Sequence, residues 1–267
     1  MENLLQVIAL GIIEGITEFL PVSSTGHLLI AEKLGLGHRS ELFNIGIQAG
    51  AILAVTLIYW NRLIELGRGV LDAKNVAGRA YALKLGVSFG ITAVLGLVVK
   101  KLGFELPETV TPIAWALIIG GFWIFVAEAY AKRAKPSSEI TWTVAIAVGV
   151  AQIIAGIFPG TSRSAATIFA AMLCGTSDRK AATELSFLVG IPTMYAASGY
   201  ALLKELKDGA SGESLTDLGI GFVVAAIVAF VVVKWLLRYV QTHSFNPFAY
   251  YRIAAGVALL WLLPAGT

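Results

Sequence analysis

Long apolar runs alternate with short polar connections along the chain, and these runs set the expected elements. They fall near residues 3–20, 42–60, 80–99, 112–131, 142–158, 185–203, 218–237 and 249–263. Most can form a helix that crosses a hydrocarbon core about 30 Å thick. The runs that follow two polar stretches are shorter: residues 24–35 and 164–175 are twelve residues each, about 18 Å of helix. Residues 3–35 and 142–175 therefore read as helical hairpins that enter and leave on one side, each with its polar turn buried inside protein. Irregular backbone is tolerated at that depth only in such a setting. Pro21 and Pro159 suit the turns, because proline ends a helix and biases the residue before it away from helical geometry.

An internal repeat orders these elements. Gly11, Glu14, Glu18, Pro21, Ser23 and Ser24 align without gaps on Gly149, Gln152, Gly156, Pro159, Thr161 and Ser162, a constant offset of 149 − 11 = 138. Each half holds a hairpin and three spanning helices, and an odd number of crossings inverts the second half relative to the first. The expected fold is an all-α polytopic membrane protein: one membrane domain, 1–267, with repeat 1 at about 1–135 and repeat 2 at about 136–267.

Composition agrees. Hydrophobic residues make up 57% and charged residues 14%, whereas soluble domains approach a quarter charged. The longest polar connection, 61–79, is too short for a separate soluble domain. The net charge of +3 is spread over short loops, which excludes a nucleic-acid-binding stripe. Cys174 is alone, so no intramolecular disulfide forms. The first residues lack a basic leader and a cleavage pattern, so they are expected to be retained. Ten basic loop residues lie opposite the N-terminal side and six on it, which points to a non-cytoplasmic N-terminus. Lys84, Lys234 and Arg252 are placed near cytoplasmic helix ends, where they snorkel, leaving Arg163 as the basic residue at depth.

The polar chemistry concentrates in residues 14–27 and 158–167. Glu14 and Glu18 are four apart, on one helix face and about 6 Å from each other. A solvated pair at a helix end is the alternative to a cation or proton site, and intramembrane acids favour the site. Like charges so close need a counter-charge, and a divalent cation, Mg²⁺ or Ca²⁺, held by Glu14 and Glu18 is the simplest. Ser23, Ser24, Thr25 and Gly26 open the hairpin's second helix, where hydroxyls either cap the helix or help its free N–H groups bind an anion. His27 follows Ser24 by three residues, a spacing that allows nucleophile and base to meet. The second stretch supplies Ser162, Ser164 and Thr167 as further phosphate-binding candidates, and Arg163, whose donors match phosphate or an internal carboxylate. Glu128, Glu184, Gln48 and Gln152 stay open between packing and site roles. No GxxxxGK, HExxH or GxSxG pattern is present. Together these groups suit phosphoryl transfer on an amphiphile with a phosphate or diphosphate head.

The stretches EGITEFLPVSSTGH, PGTSRSAAT, ELSFLVGIP and YYRIAAG resemble the bacterial undecaprenyl-diphosphatase, or bacitracin-resistance, family across essentially the full chain. The resemblance implies a multi-pass enzyme of the bacterial inner membrane with its site facing the periplasm. Such an enzyme hydrolyses undecaprenyl diphosphate to the monophosphate and phosphate, recycling the lipid carrier of cell-wall synthesis. It also implies dependence on a divalent cation and competition with bacitracin for the substrate; homodimerisation is left open. By position, Glu14 and Glu18 match the family's acidic pair, Ser24 its proposed nucleophile, His27 its histidine and Arg163 its arginine. Ala165 stands where the family usually has glycine. The expected mechanism has Ser24 attacking the terminal phosphorus, with His27 moving its proton, Arg163 and the cation neutralising charge, and N–H groups at Thr25 and Gly26 holding a phosphoryl oxygen. Metal-activated water is the rival nucleophile, and a transporter or flippase of a polyprenyl phosphate lipid is the rival function.

Overall fold

A computed structural model of the chain describes residues 2–37, 39–103, 109–208 and 214–262. Its regular elements are all helical: α1 (Glu2–Thr17), α2 (Ser24–Ala31), α3 (Glu41–Ile58), α4 (Trp60–Leu71), α5 (Val76–Lys101), α6 (Val110–Arg133), α7 (Trp142–Ile157), α8 (Arg163–Leu173), α9 (Arg179–Asp208), α10 (Leu215–Tyr239) and α11 (Asn246–Leu262). A π-helical turn over Glu32–Leu36 extends α2.

Among the described residues, five helices are long and apolar enough to cross a membrane: Glu41–Ile58, Val76–Lys101, Val110–Arg133, Arg179–Lys204 and Leu215–Tyr239. The chain is thus a polytopic, all-helical membrane protein. The sixth expected span, 249–263, is α11, which has 17 residues and a buried arginine near its start; residue 263 lies outside the described residues. The polar connection 61–79 differs from its reading as a loop. It holds α4 and the start of α5, because Leu63, Leu66 and Tyr81 pack on the core from one face while the charges of α4 stay on the other.

The short helices fold back on their predecessors: α1 packs on α2, and α7 on α8. The turn between α1 and α2 is buried from Phe19 to Ser23. Packing between the halves is reciprocal, since α1 lies against α10 and α7 against α5, while α3 meets α9 and α6 meets α11. Small residues permit the close approach, as helix association inside lipid requires. A Cβ on Gly11 would press on the Gly221 carbonyl and Val224, and one on Gly149 on the Ser88 carbonyl and Ile91.

Polar contacts gather at two ends. Arg39 reaches Asp217 and Asn3 at one; Arg62 meets Glu184, and Arg179 meets Glu128, at the other. Glu128 is therefore structural: it accepts from Arg179 Nη2 at 2.5 Å and from the Phe245 amide at 2.8 Å. Trp60, Trp142, Trp235 and Trp261 are all exposed, as interfacial anchors are.

Candidate active site

Both turns end on a serine in a conformation that side chains rarely adopt. Ser23 (φ 75°) caps α2 and accepts from the Gly26 amide, and Ser162 (φ 70°) caps α8 and accepts from the Ala165 amide. These are the positive-φ non-glycine residues among the described residues, and such strain, about 1–3 kcal/mol each, persists where surrounding structure enforces it. The two caps are 162 − 23 = 139 apart, one more than the offset of 138 that α1 and α7 keep at Gly11 and Gly149. The second turn thus carries one extra residue, and the gapless alignment of Ser24 with Ser162 is corrected by geometry. Ser23 corresponds to Ser162, and Ser24 to Arg163, each the first residue of its helix.

That register places Ser24 and Arg163 on one acid. Ser24 Oγ donates to Glu18 Oε2 at 2.5 Å, and Arg163 Nη2 donates to Glu18 Oε1 at 3.2 Å. The remaining Arg163 nitrogens, Nε and Nη1, are buried without a hydrogen-bond partner. The Arg163 guanidinium lies over the Phe19 ring, 5.7 Å from its centroid, and passes Gly190 of α9 so closely that a Cβ there would push the guanidinium aside. Glu14 is 1% exposed and neither of its carboxylate oxygens has a hydrogen-bond partner; its charged neighbours are Glu18 and Arg163.

His27 is placed differently from the expectation. Its Nδ1 meets the Ser23 carbonyl at 2.6 Å and its Nε2 the Tyr251 hydroxyl at 2.5 Å, with the two rings stacked 5.6 Å apart. A carbonyl only accepts, so Nδ1 carries the proton, and in the neutral ring Nε2 accepts from Tyr251. Both nitrogens are engaged away from Ser24, so the geometry pairs the hydroxyl with Glu18 instead. Of the two amides expected to hold a phosphoryl oxygen, that of Gly26 is taken by the Ser23 side chain, leaving that of Thr25 at the helix start.

The other hydroxyls also divide. Ser162 borders the cavity described below. Ser164 is fully buried and donates to the Leu20 carbonyl at 2.9 Å. Thr167 is fully buried against the Arg163 carbonyl and Ser186. Ser164 thus ties α8 to the first turn and Thr167 ties α8 to α9, because their helix positions turn them in those directions. Gln152, which aligns with Glu14, donates to Thr92 of α5 at 2.7 Å. Arg252, expected at a helix end, is 0% exposed and lies between the two turns.

A cavity of about 650 Å³ is lined by Glu18, Ser23, Ser24, Thr25, Ser162 and Arg163; its remaining wall is largely apolar and includes Phe89, Leu97 and Met194. A smaller, polar cavity of about 370 Å³ reaches Glu14, Ser24 and Thr25 from the side of Arg39 and Glu41, and Gln48 borders both.

Gly190, Tyr251 and the depth of Arg252 were missed from sequence. A glycine two residues before Pro192 in a spanning helix, and the Gly120-Gly121 pair in another, were the available signals, since glycine inside a helix costs up to about 1 kcal/mol relative to alanine.

Two buried carboxylates whose oxygens include an unpartnered pair suit a hard divalent cation with oxygen ligands. No group of three or more His, Cys, Asp or Glu residues that could hold a metal occurs among the described residues. Such a cation would therefore keep positions for water and phosphate, as Mg²⁺ does.

Comparison with known proteins places the chain in a family. An "Undecaprenyl-diphosphatase" of Rhizobium etli is 67% identical over 258 residues, 96% of each chain. A protein of the same name from Xanthomonas euvesicatoria is 58% identical over 266 residues, 99% of each chain. The family described as "Bacitracin resistance protein BacA" matches residues 7–258, and the chain belongs to that family.

Proposed function

We infer that the chain is an integral-membrane undecaprenyl-diphosphatase, which hydrolyses undecaprenyl diphosphate to undecaprenyl phosphate and inorganic phosphate and so returns the lipid carrier to cell-wall synthesis. The observation that carries this reading is one cavity lined by both kinds of group. Ser24, Glu18 and Arg163 meet in its wall, and the largely apolar remainder suits the first isoprene units of a lipid. Relatives of the same length bear that name.

In the proposed reaction, Arg163 leaves Glu18 in part and directs its unpartnered donors at the diphosphate, a charge-assisted contact. Ser24 Oγ attacks the terminal phosphorus and its proton passes to Glu18. The Oγ–P bond forms, the anhydride P–O bond breaks, and undecaprenyl phosphate leaves. Water then attacks the phosphoserine, the Oγ–P bond breaks, Glu18 returns its proton to Ser24 Oγ, and the water's protons leave with the released phosphate. The Thr25 amide at the start of α2 holds a phosphoryl oxygen. Phosphoryl transfer depends chiefly on such positioning and charge neutralisation. His27 supports the turn through the Ser23 carbonyl. Glu14 and Glu18 would hold the divalent cation, which supplies further neutralisation of the diphosphate when bound.

The proposed setting is the bacterial inner membrane, with the two halves as inverted repeats of one membrane domain and the site on the non-cytoplasmic side, as the asymmetry of basic loop residues suggests. Bacitracin would compete by sequestering the substrate. The test is phosphate release from a polyprenyl diphosphate by the purified protein in detergent, with Glu18→Gln, Ser24→Ala and Arg163→Ala in parallel. Cation-dependent release lost in all three variants is expected, with phosphate trapped on the Ser24 peptide. Absence of release from the parent protein, with lipid movement instead, would replace the enzyme by a transporter; release without labelled Ser24 would make water the nucleophile.

A further inference from the structure

Arg252 is fully buried near the start of α11, in the stretch YYRIAAG, and has no part in the reaction above. Every partner it has is a backbone carbonyl. Nε donates to Leu117 at 3.3 Å, Nη1 to Pro21 at 3.1 Å, and Nη2 to Ala116 and Gly160, both at 3.0 Å. A guanidinium taken out of water costs several kcal/mol unless its donors are satisfied, and here all three nitrogens are. Two of the acceptors belong to α6. They are reachable because residue 120, one turn beyond Ala116, is glycine; any Cβ there would collide with the guanidinium.

The other two acceptors tie this residue to the site. Pro21 lies two residues before the cap Ser23, and Gly160 two residues before the cap Ser162. They are the same position in the two turns, at the corrected separation of 139. One planar group thus holds corresponding carbonyls of the turn that presents Ser24 and the turn that presents Arg163. A lysine has a single nitrogen on a flexible stem and could not span both in a fixed geometry.

We propose that Arg252 is a positioning residue for the diphosphatase reaction: its guanidinium fixes the separation and angle of the two hairpin turns, and thereby of Ser24 and Arg163. The proposal rests on the function inferred above. Its consequence is that loss of the clamp leaves the apolar wall for the lipid chain in place but misaligns attack, and misplacement by about 1 Å can cost about 100-fold in rate.

The test uses two variants, Arg252→Lys and Gly120→Ala, the second displacing the guanidinium without removing it. Kinetics are measured as phosphate release from a polyprenyl diphosphate. In parallel, spin labels on Leu28→Cys of α2 and Ala166→Cys of α8, in a Cys174→Ala background, report the distance between the hairpins. Both variants are expected to lose about 100-fold in kcat with KM within about twofold, and to widen or shift the distance distribution. An unchanged distribution in both, or a loss carried by KM alone, overturns the proposal. Should Arg252→Lys fail to fold, Gly120→Ala decides by the same two readouts. If the parent protein releases no phosphate, the inferred function falls, while the distance measurement still decides the clamp.

Discussion

Two arginines each lie against a glycine in a facing helix: Arg163, largely buried, beside Gly190, and Arg252, fully buried, beside Gly120. Their donors are spent in opposite ways. Arg252 gives all three nitrogens to four carbonyls, whereas Arg163 gives one nitrogen to Glu18 and keeps Nε and Nη1 buried and unpartnered. A buried charge whose donors are used up has its electrostatic work complete within the fold. A buried charge with idle donors carries a desolvation cost that water or a ligand recovers. The saturated arginine belongs to architecture that aligns the reaction, and the unsaturated one to the contact with phosphate.

That comparison breaks or sharpens under substitution. The largest effect is expected from Arg163→Met: kcat/KM for polyprenyl diphosphate falls about 1000-fold, about 4 kcal/mol of transition-state stabilisation. A loss under tenfold would place the idle donors outside the reaction. Glu128→Leu supplies the saturated counterpart, because it removes the acceptor of both Arg179 and the Phe245 amide. It should lower stability by about 3 kcal/mol, read as the melting of detergent-solubilised protein, with kcat of the folded fraction unchanged. Gly190→Ala forces the Arg163 guanidinium aside and should cost about 30-fold in kcat, about 2 kcal/mol; full activity would mean that the arginine has room to reorganise. Smallest is Glu14→Gln, expected to raise the Mg²⁺ concentration for half-maximal activity about tenfold after chelation and back-titration. Calorimetric Mg²⁺ binding identical to that of the parent would remove Glu14 from the cation site.

The outline of the fold was legible because hydropathy and helix length are local quantities. The five spans and the two short return helices lie where the apolar runs placed them, and α4 escaped because a polar composition hid its apolar face. The pairing of Arg163 with Glu18 was open in advance as one of two alternatives, since an arginine at depth must find an anion.

What chain order left undecided was direction and register. Spacing put Ser24 and His27 on one helix face, yet Ser23 at positive φ turns the hydroxyl to Glu18 and the imidazole to Tyr251. The extra residue in the second turn, which makes Arg163 the counterpart of Ser24, shows only when both caps are seen. Arg252 read as a snorkelling side chain because its acceptors come from segments more than 90 residues away in the chain. The sequence by itself determined a polytopic helical chain with a costly polar centre, because burying such groups in lipid is too expensive without a purpose. Which of those groups touch one another was decided by the tertiary structure alone, because backbone angles at two caps and contacts between distant helices carry no signature in local spacing.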